Sequence, residues 1–304
     1  SGAVSTINAL IAEATDLLNN EEALTTEEAK QTLGAAIEAA NNAIAEGLTL
    51  ETYKAQNEAL NAAIKGGHDA MSAASAFETL VTEHINNFDT GVYDPYSSKA
   101  EYGKFQDLLL DEMEPALAQS LESIKWIEDA TMKIDKAYAT MVSTDIDFTG
   151  ASINAPADVT AMIQSPSFSV PDPNDPSKEL SSIKGWVTTE GNNANATGAQ
   201  NYEFYVGKGD ADIHQVLYAL PKGYYRLVYN GFYRAGGAVK AAVAHRDSTD
   251  ARNAKVYVEA GDGKWSKELA SIFDHVNEYK YDGGDFALAD SLFPESDKLY
   301  HFVV

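Results

Sequence analysis

One stretch decides how the second half of the chain is interpreted: Asp212-Ile-His-Gln-Val-Leu-Tyr-Ala-Leu-Pro-Lys-Gly-Tyr-Tyr-Arg-Leu-Val-Tyr-Asn-Gly-Phe-Tyr-Arg-Ala235. Two runs rich in β-branched and aromatic residues flank Pro221-Lys222-Gly223, which is typical of an antiparallel hairpin with a short loop. The proline presets φ for the turn, and the glycine accepts a positive φ without steric cost. Large apolar residues recur at every second position of the second run, so one face can pack in a core. The stretch therefore predicts strands 213–220 and 224–234 at the centre of a β-sandwich.

Four motifs around this hairpin resemble the galactose-binding-like jelly-roll modules of Bacteroidetes surface proteins. They are Gly185-Trp186, Asn201-Tyr-Glu-Phe-Tyr205, the run from Asp212 to Arg226, and Gly231-Phe-Tyr-Arg234. The resemblance covers roughly the second half of the chain. It implies a jelly-roll, carbohydrate-binding-module-like domain and anchorage at a Gram-negative cell surface or in the periplasm. It indicates a fold more than a function, because this fold hosts many ligands.

Residues 3 to about 144 have the apolar spacing of helices, with large or small apolar residues every three or four positions. Thr25 with Glu28 and Ser98 with Glu101 have the pattern of capping boxes, and Thr49 has that of an N-cap. The other predicted ends are Gly47, Gly66-Gly67 between a third and a fourth helix, and Pro115 at the start of a last, long helix through Met141. Six helices with short loops predict an antiparallel bundle, which can divide into two three-helix repeats near 3–66 and 68–144. The pattern is similar to three-helix repeats of bacterial surface proteins, which serve as stalks or spacers.

The predicted fold is therefore multi-domain, α then β. Residues 1–147 form a helical bundle, a spacer or docking unit, and residues 148–304 form a galactose-binding-like jelly-roll β-sandwich. Further strands are expected at 201–206, 239–245, 254–259 and 299–304, with loops at 171–176, 191–198 and 282–285. Modules of this type continue through more strands, so we expect the sandwich to be truncated at the C-terminus or to close differently.

Composition excludes several classes of protein. The formal net charge of −24 and the pI of about 4.4 set aside nucleic acid and anionic membrane surfaces as partners. The absence of cysteine excludes disulfides and thiol nucleophiles. No apolar run of about 18 residues exists, so no membrane span is expected. Ser1-Gly2 can be a cloning remnant after a removed export segment, which favours a cell-surface, periplasmic or extracellular location.

Catalytic signals are weak throughout the sequence. The six histidines are scattered without metal-ligand spacing, and no nucleophile elbow is present. Paired carboxylates such as Asp172/Asp175 fall at turns, where Asp is favoured for backbone capping. We therefore predict no catalytic residue and no cofactor. The alternative that stays open is a structural calcium ion, with ligands from Asp210, Asp212 and the 282–285 loop.

Sugar recognition commonly uses aromatic faces with nearby planar polar groups. Residues of these types near predicted strand ends give the candidate ligand-binding set, which is Trp186, Asn201, Tyr205, Tyr233, Arg234 and Trp265. The opposing interpretation is that Trp186 and the tyrosines fill the sandwich core. Trp265 follows Gly261-Asp-Gly263-Lys, which favours an exposed ring.

The predicted function is that of a non-catalytic carbohydrate-binding protein of the cell surface, with a glycan or cell-surface polysaccharide as its partner. One alternative is a protein–protein interaction or adhesion protein, in which the bundle binds a protein partner and the sandwich is structural. A second alternative is an accessory fragment of a larger glycoside hydrolase.

Overall fold

A computed structural model describes residues 2–188, 193–198, 201–205, 212–233, 238–271, 273–274, 278–281, 284–285 and 300–303. In the first half, six α-helices confirm the predicted helical character. They are α1 (Gly2–Leu18), α2 (Glu27–Glu46), α3 (Leu50–Asp89), α4 (Ala100–Asp107), α5 (Glu114–Leu117) and α6 (Ile124–Ser143). A π-helical turn, Leu108–Met113, joins α4 to α5 and places Leu109 and Met113 in the core.

Two hydrophobic cores divide the bundle, and α3 contributes to both. The first core is formed by α1, α2 and the first half of α3, around residues such as Ile7 and Leu60. The second is formed by the second half of α3, α4, the π-helical turn and α6, around residues such as Phe105 and Ile134. One continuous helix of 40 residues therefore serves two three-helix packings. An internal sequence repeat stays a prediction.

The predicted helix break at Gly66-Gly67 is wrong, because α3 runs through both glycines. A Cβ at Gly67 would lie 3.2 Å from Leu33 Cδ1 of α2, whereas a Cβ at Gly66 would meet nothing within 4 Å. Gly67 therefore permits a close approach of two helices. A glycine that serves packing looks in the sequence like one that ends a helix.

Leucine substitutions at these adjacent glycines should have opposite effects on stability. Gly66→Leu should raise the free energy of unfolding by about 0.5–1 kcal/mol, because leucine is the better helix former and the position is open. Gly67→Leu should lower it by about 1–3 kcal/mol, because the side chain overpacks against Leu33. Urea unfolding followed by far-UV circular dichroism compares the two variants. Equal effects would contradict a helix contact at Gly67.

The predicted last helix is instead α5 and α6, separated by an extended connection. The carbonyls of Leu121 and Glu122 accept hydrogen bonds from the backbone N–H groups of Glu27 and Glu28, at 2.7 and 3.1 Å. These donors lie in the first turn of α2, where no intrahelical acceptor exists. The connection therefore leaves helical geometry to satisfy another helix, and Ser123 then caps α6 by accepting from the N–H three residues later at 3.0 Å.

The other capping predictions have mixed outcomes. Thr49 caps α3, and Gly47 ends α2 with φ of 93°, as predicted. Thr26, one residue after the predicted threonine, caps α2 and accepts a hydrogen bond at 3.2 Å. The predicted capping box at Ser98 is wrong: Lys99 is the N-cap residue of α4 and makes no side-chain capping bond.

In the second half, the described strands form small antiparallel sheets. The strands are β1 (Ser169–Asp172), β2 (Asp175–Ser181), β3 (Val187–Thr188), β4 (Asn193–Gly198), β5 (Asn201–Tyr205), β6 (Ile213–His214), β7 (Lys255–Ala260), β8 (Gly263–Glu268), β9 (Glu278–Tyr281), β10 (Gly284–Asp285) and β11 (Tyr300–Val303). The pairs are β1–β2, β3–β6, β4–β5 and β7–β8, with β10–β9–β11 as a three-stranded sheet. The described residues show no closed sandwich, so the jelly roll stays a prediction.

The predicted central hairpin is not what the described residues form. Ile213 and His214 make a short strand that pairs with β3. Gln215 then binds the backbone of Gln164: its amide oxygen accepts from the Gln164 N–H at 3.0 Å, and its amide nitrogen donates to the Gln164 carbonyl at 2.5 Å. Residues 215–232 contain no strand, so the first run is held by a segment 51 residues away instead of by the second run.

The structure also corrects the predictions for several shorter segments. The proline-rich loop at 171–176 is part of the β1–β2 hairpin, where a two-stranded sheet leaves outer edges that tolerate proline. The polar segment at 191–198 contains β4, and the loop at 282–285 contains β10. The strand predicted at 239–245 is helix α7 (Ala238–Arg246), in keeping with its four alanines. Strands are confirmed near the other three predicted positions, as β5, β7 and β11.

The chain packs as two compact units. One comprises Ser1–Pro166 with Gln215–Pro221, and the other comprises Ser167–His214 with Lys222–Val304. The predicted assignment of residues 1–147 to a spacer and of residues 148–304 to a jelly roll stays a prediction.

Candidate functional site

The β7–β8 hairpin presents two chemically different faces. Its strands pair in register, with Val258 opposite Trp265 and Ala260 opposite Gly263. Because successive side chains in a strand point to opposite faces, Trp265 shares one face with Val258, and Tyr257 and Lys264 share the other. The hairpin therefore separates an apolar face from a hydrogen-bonded polar face.

The apolar face carries an exposed indole. Trp265 is 60% exposed, and its cross-strand partner Val258 is 44% exposed. The six-membered ring of Trp265 occupies the space where a Cβ of Gly263 would be, so the ring rests on the backbone of the hairpin. Glycine at 263 is therefore required for this ring position, and the other face of the indole is left open to solvent.

The polar face is built around the carboxylate of Asp212, which precedes β6. The Tyr257 hydroxyl donates to Asp212 Oδ1 at 2.7 Å, and His214 Nδ1 lies 2.6 Å from Asp212 Oδ2. Lys264 forms an ion pair with Glu259 and lies 5.0 Å from the centre of the Tyr257 ring. These contacts tie β6 to β7.

The contacts on this face shift the pKa values of two groups, Asp212 and Tyr257. Burial opposes ionisation of Asp212, but the hydrogen bonds from His214 and Tyr257 outweigh it and hold the pKa of the carboxyl below its ordinary value. Burial, reinforced by the bond to Asp212, raises the pKa of Tyr257 to about 12. Both shifts favour the arrangement in which the protonated Tyr257 hydroxyl donates to the ionised Asp212 carboxylate.

A second charged cluster joins α7 to the residues after β8. The Asp274 carboxylate lies 3.0 Å from His245 Nε2, accepts from Arg252 at 2.7 Å and accepts from the Ser271 N–H at 2.9 Å. The hydrogen bond from His245 comes first among the causes that lower the pKa of Asp274. The groups bond to one another, so the cluster stabilises the fold.

The predicted ligand-binding residues that the structure describes have different surroundings. Trp186 is half-buried, and its ring centre lies 4.9 Å from that of Phe168. Tyr233 is buried, and its N–H donates to the Ala270 carbonyl at 2.8 Å. No ring contact joins Trp186, Tyr233 and Trp265 within the described part of the chain. Of these three, Trp265 has the geometry of an open platform.

The structure describes the other predicted ligand-binding residues only in part. Asn201 and Tyr205 are the first and last residues of β5, which pairs with β4. Arg234 lies outside the described residues. The assignment of these residues to ligand binding stays a prediction.

The calcium alternative stays a prediction. Asp210 and residues 282–283 lie outside the described residues, while Asp212 already has Tyr257 and His214 as partners. Among the residues that the structure describes, no group of three or more His, Cys, Asp or Glu side chains could hold a metal ion.

Sequence reasoning missed two residues of the apolar face, Val258 and Gly263. The strand at 254–259 was predicted, but its partner β8 was not, because residues 266–273 can be interpreted as a strand or as a helical turn. The signal that finds the pair is the Gly261-Asp262 turn, which sets the register of β7 against β8.

Comparison with protein-family models, curated proteins and solved structures finds no match to this chain. The resemblance to galactose-binding-like modules therefore depends on the quoted motifs alone. No helix within the described ranges is long and apolar enough to span a bilayer.

Proposed function

We propose that this chain is a non-catalytic carbohydrate-binding protein of the cell surface or the extracellular space, in which the helical bundle acts as a spacer. The observation that carries the proposal is the Trp265 ring, which rests on Gly263 and leaves one face open. A sugar would stack its apolar C–H face on that open face, as aromatic side chains commonly allow.

Preorganisation supports this use of the indole. The ring occupies a position that Gly263 leaves free, and Val258 lies directly across the hairpin. A ring that is already placed loses little rotamer freedom on binding, so more of the stacking energy appears as affinity.

The bundle supports the spacer part of the proposal through its composition and shape. Residues 1–147 contain 26 Asp and Glu against 8 Lys and no Arg. Helix α3 alone has 40 residues, which corresponds to a length of about 60 Å. A strongly acidic helical unit is well suited to stay soluble and to resist nonspecific association.

The test is a glycan array with the full chain, followed by calorimetry on the glycans that bind. Trp265→Ala should weaken binding about fivefold or more, because loss of one stacking residue in a small site costs about 1–3 kcal/mol. Trp265→Phe keeps an aromatic face and should retain part of the affinity. The melting temperature should stay unchanged in both variants, because the ring is exposed.

The variant Gly263→Ala provides a second test of the proposal. Its methyl group must displace the indole from the hairpin, so binding should weaken although the tryptophan is intact. Absence of binding to every plant, host and bacterial glycan on the array would contradict the proposal, and so would binding that is unaffected by Trp265→Ala. Either result would favour a protein partner instead.

A further inference from the structure

The apolar face of the β7–β8 hairpin also carries one cation. Lys267 lies opposite Val256 and two residues beyond Trp265 on β8, so both side chains point to the same side of the hairpin. Their Cα atoms are about 7 Å apart along the strand, from a rise of about 3.4 Å per residue. Lys267 therefore lies on the same face of the hairpin as the indole, which leans toward Gly263 on the other side of Trp265.

The other charges of the hairpin strands belong to the opposite face. Lys264 pairs with Glu259, and Lys255 lies directly across the hairpin from Glu268. Lys267 is exposed and forms no ion pair within the described residues. On the strand positions of the Trp265 face, the neighbours of Lys267 are apolar or glycine.

We propose that this face binds an acidic sugar, a hexuronic acid residue of a polysaccharide. The inference rests on the proposed carbohydrate-binding function and names its ligand class. The apolar face of the pyranose stacks on Trp265, and the carboxylate at C5 forms an ion pair with Lys267. A neutral sugar would use the indole and leave the ammonium group without a partner.

Most of the negative charge lies outside the half of the sequence that contains the hairpin. Of the net charge of −24, residues 148–304 contribute −6, from 20 acidic and 14 basic residues. A short oligosaccharide carries fewer negative charges than a long polyanion, so it is repelled less and is the better probe.

The test uses calorimetry on the full chain with trisaccharides of galacturonate, glucuronate and mannuronate, each compared with its own methyl ester. The ester keeps the shape of the sugar and removes its charge. At least one acid should bind about twofold to fivefold more tightly than its ester, the range of an exposed ion pair. Lys267→Gln should remove that difference, and Trp265→Ala should weaken both forms.

Lys264→Gln is the matched control, because it removes the same charge from the same hairpin on the opposite face. It should leave the preference for the acid intact. The inference is overturned if no acid binds better than its ester, or if Lys264→Gln acts as strongly as Lys267→Gln. If acids and esters bind equally tightly, and this binding depends on Trp265 but not on Lys267, the acidic ligand alone is overturned. If no tested sugar shows binding that depends on Trp265, the proposed function is overturned as well.

Discussion

Replacing Phe105 with alanine should lower the free energy of unfolding of the helical bundle by about 3–5 kcal/mol, the cost of a large cavity in a packed core. Phe105 is fully buried at 0% exposure. Its ring centre lies 5.1 Å from that of His84, 5.5 Å from that of Phe88 and 6.2 Å from that of Tyr138. These neighbours come from α3 and α6, so the ring joins three helices. A loss of this size is a large part of the stability of an ordinary domain.

Urea unfolding followed by circular dichroism at 222 nm measures the effect. Because the alanine variant can fail to fold, Phe105→Leu gives a graded comparison and should cost less, about 1.5 kcal/mol or somewhat more. Leu110→Ala, in the adjacent π-helical turn, is the surface control, since Leu110 is 42% exposed and the expected change is about 0.5 kcal/mol. A Phe105→Ala cost no greater than that of Leu110→Ala would contradict the assignment of this core.

The bundle should lose stability steeply above pH 10, because a buried tyrosine must stay protonated in the folded state. Burial is the main cause that raises the pKa of Tyr93 well above its ordinary value of 10. A raised folded pKa gives a stabilising contribution that is complete below pH 10 and is lost as the pH rises toward the folded pKa. Tyr93 alone should contribute a loss of about 1.4 kcal/mol for each pH unit in that window. Burial also raises the pKa of Tyr138, which adds an effect of the same sign.

The measurement is the free energy of unfolding between pH 8 and 11.5, from urea titrations of the wild type and of Tyr93→Phe. The variant loses the 2.7 Å contact of the hydroxyl with His84 Nδ1 and the bond donated by Asn87 at 3.1 Å, so it should be less stable at neutral pH. Its loss of stability above pH 10 should nevertheless be shallower. Equal slopes for the two proteins would show that Tyr93 ionises as easily in the folded state as in the unfolded state.

The two faces of the β7–β8 hairpin divide structural and binding roles. On one face, the carboxylate of Asp212 and the hydroxyl of Tyr257 satisfy each other and hold β6 against β7. On the other face, Trp265 and Lys267 have no such partner among the residues that the structure describes. Because both side chains are exposed, substitutions at Trp265 and Lys267 can test binding with little effect on stability.

The amino-acid sequence alone determined the local features of this protein. Apolar spacing every three or four residues defined the helical half, and the cap at Thr49 was recognisable because a helix N-terminus needs a side-chain acceptor close in sequence. The exposure of Trp265 was also predictable, since it follows a Gly-Asp-Gly turn. Each of these features depends on residues only a few positions apart, which a linear pattern can reveal.

The tertiary structure decided the features that depend on distant residues. The position of Leu33 shows that Gly67 allows two helices to pack closely. The carbonyl of Leu121 lies outside a helix and accepts a hydrogen bond from the first turn of α2. Gln164 holds Gln215 and thereby replaces the predicted hairpin. Cross-strand register alone puts Trp265 on the face opposite to Tyr257. In each case the deciding partner lies too far along the chain for local propensity to reveal it, because hydrogen bonds and packing satisfy groups by proximity in space.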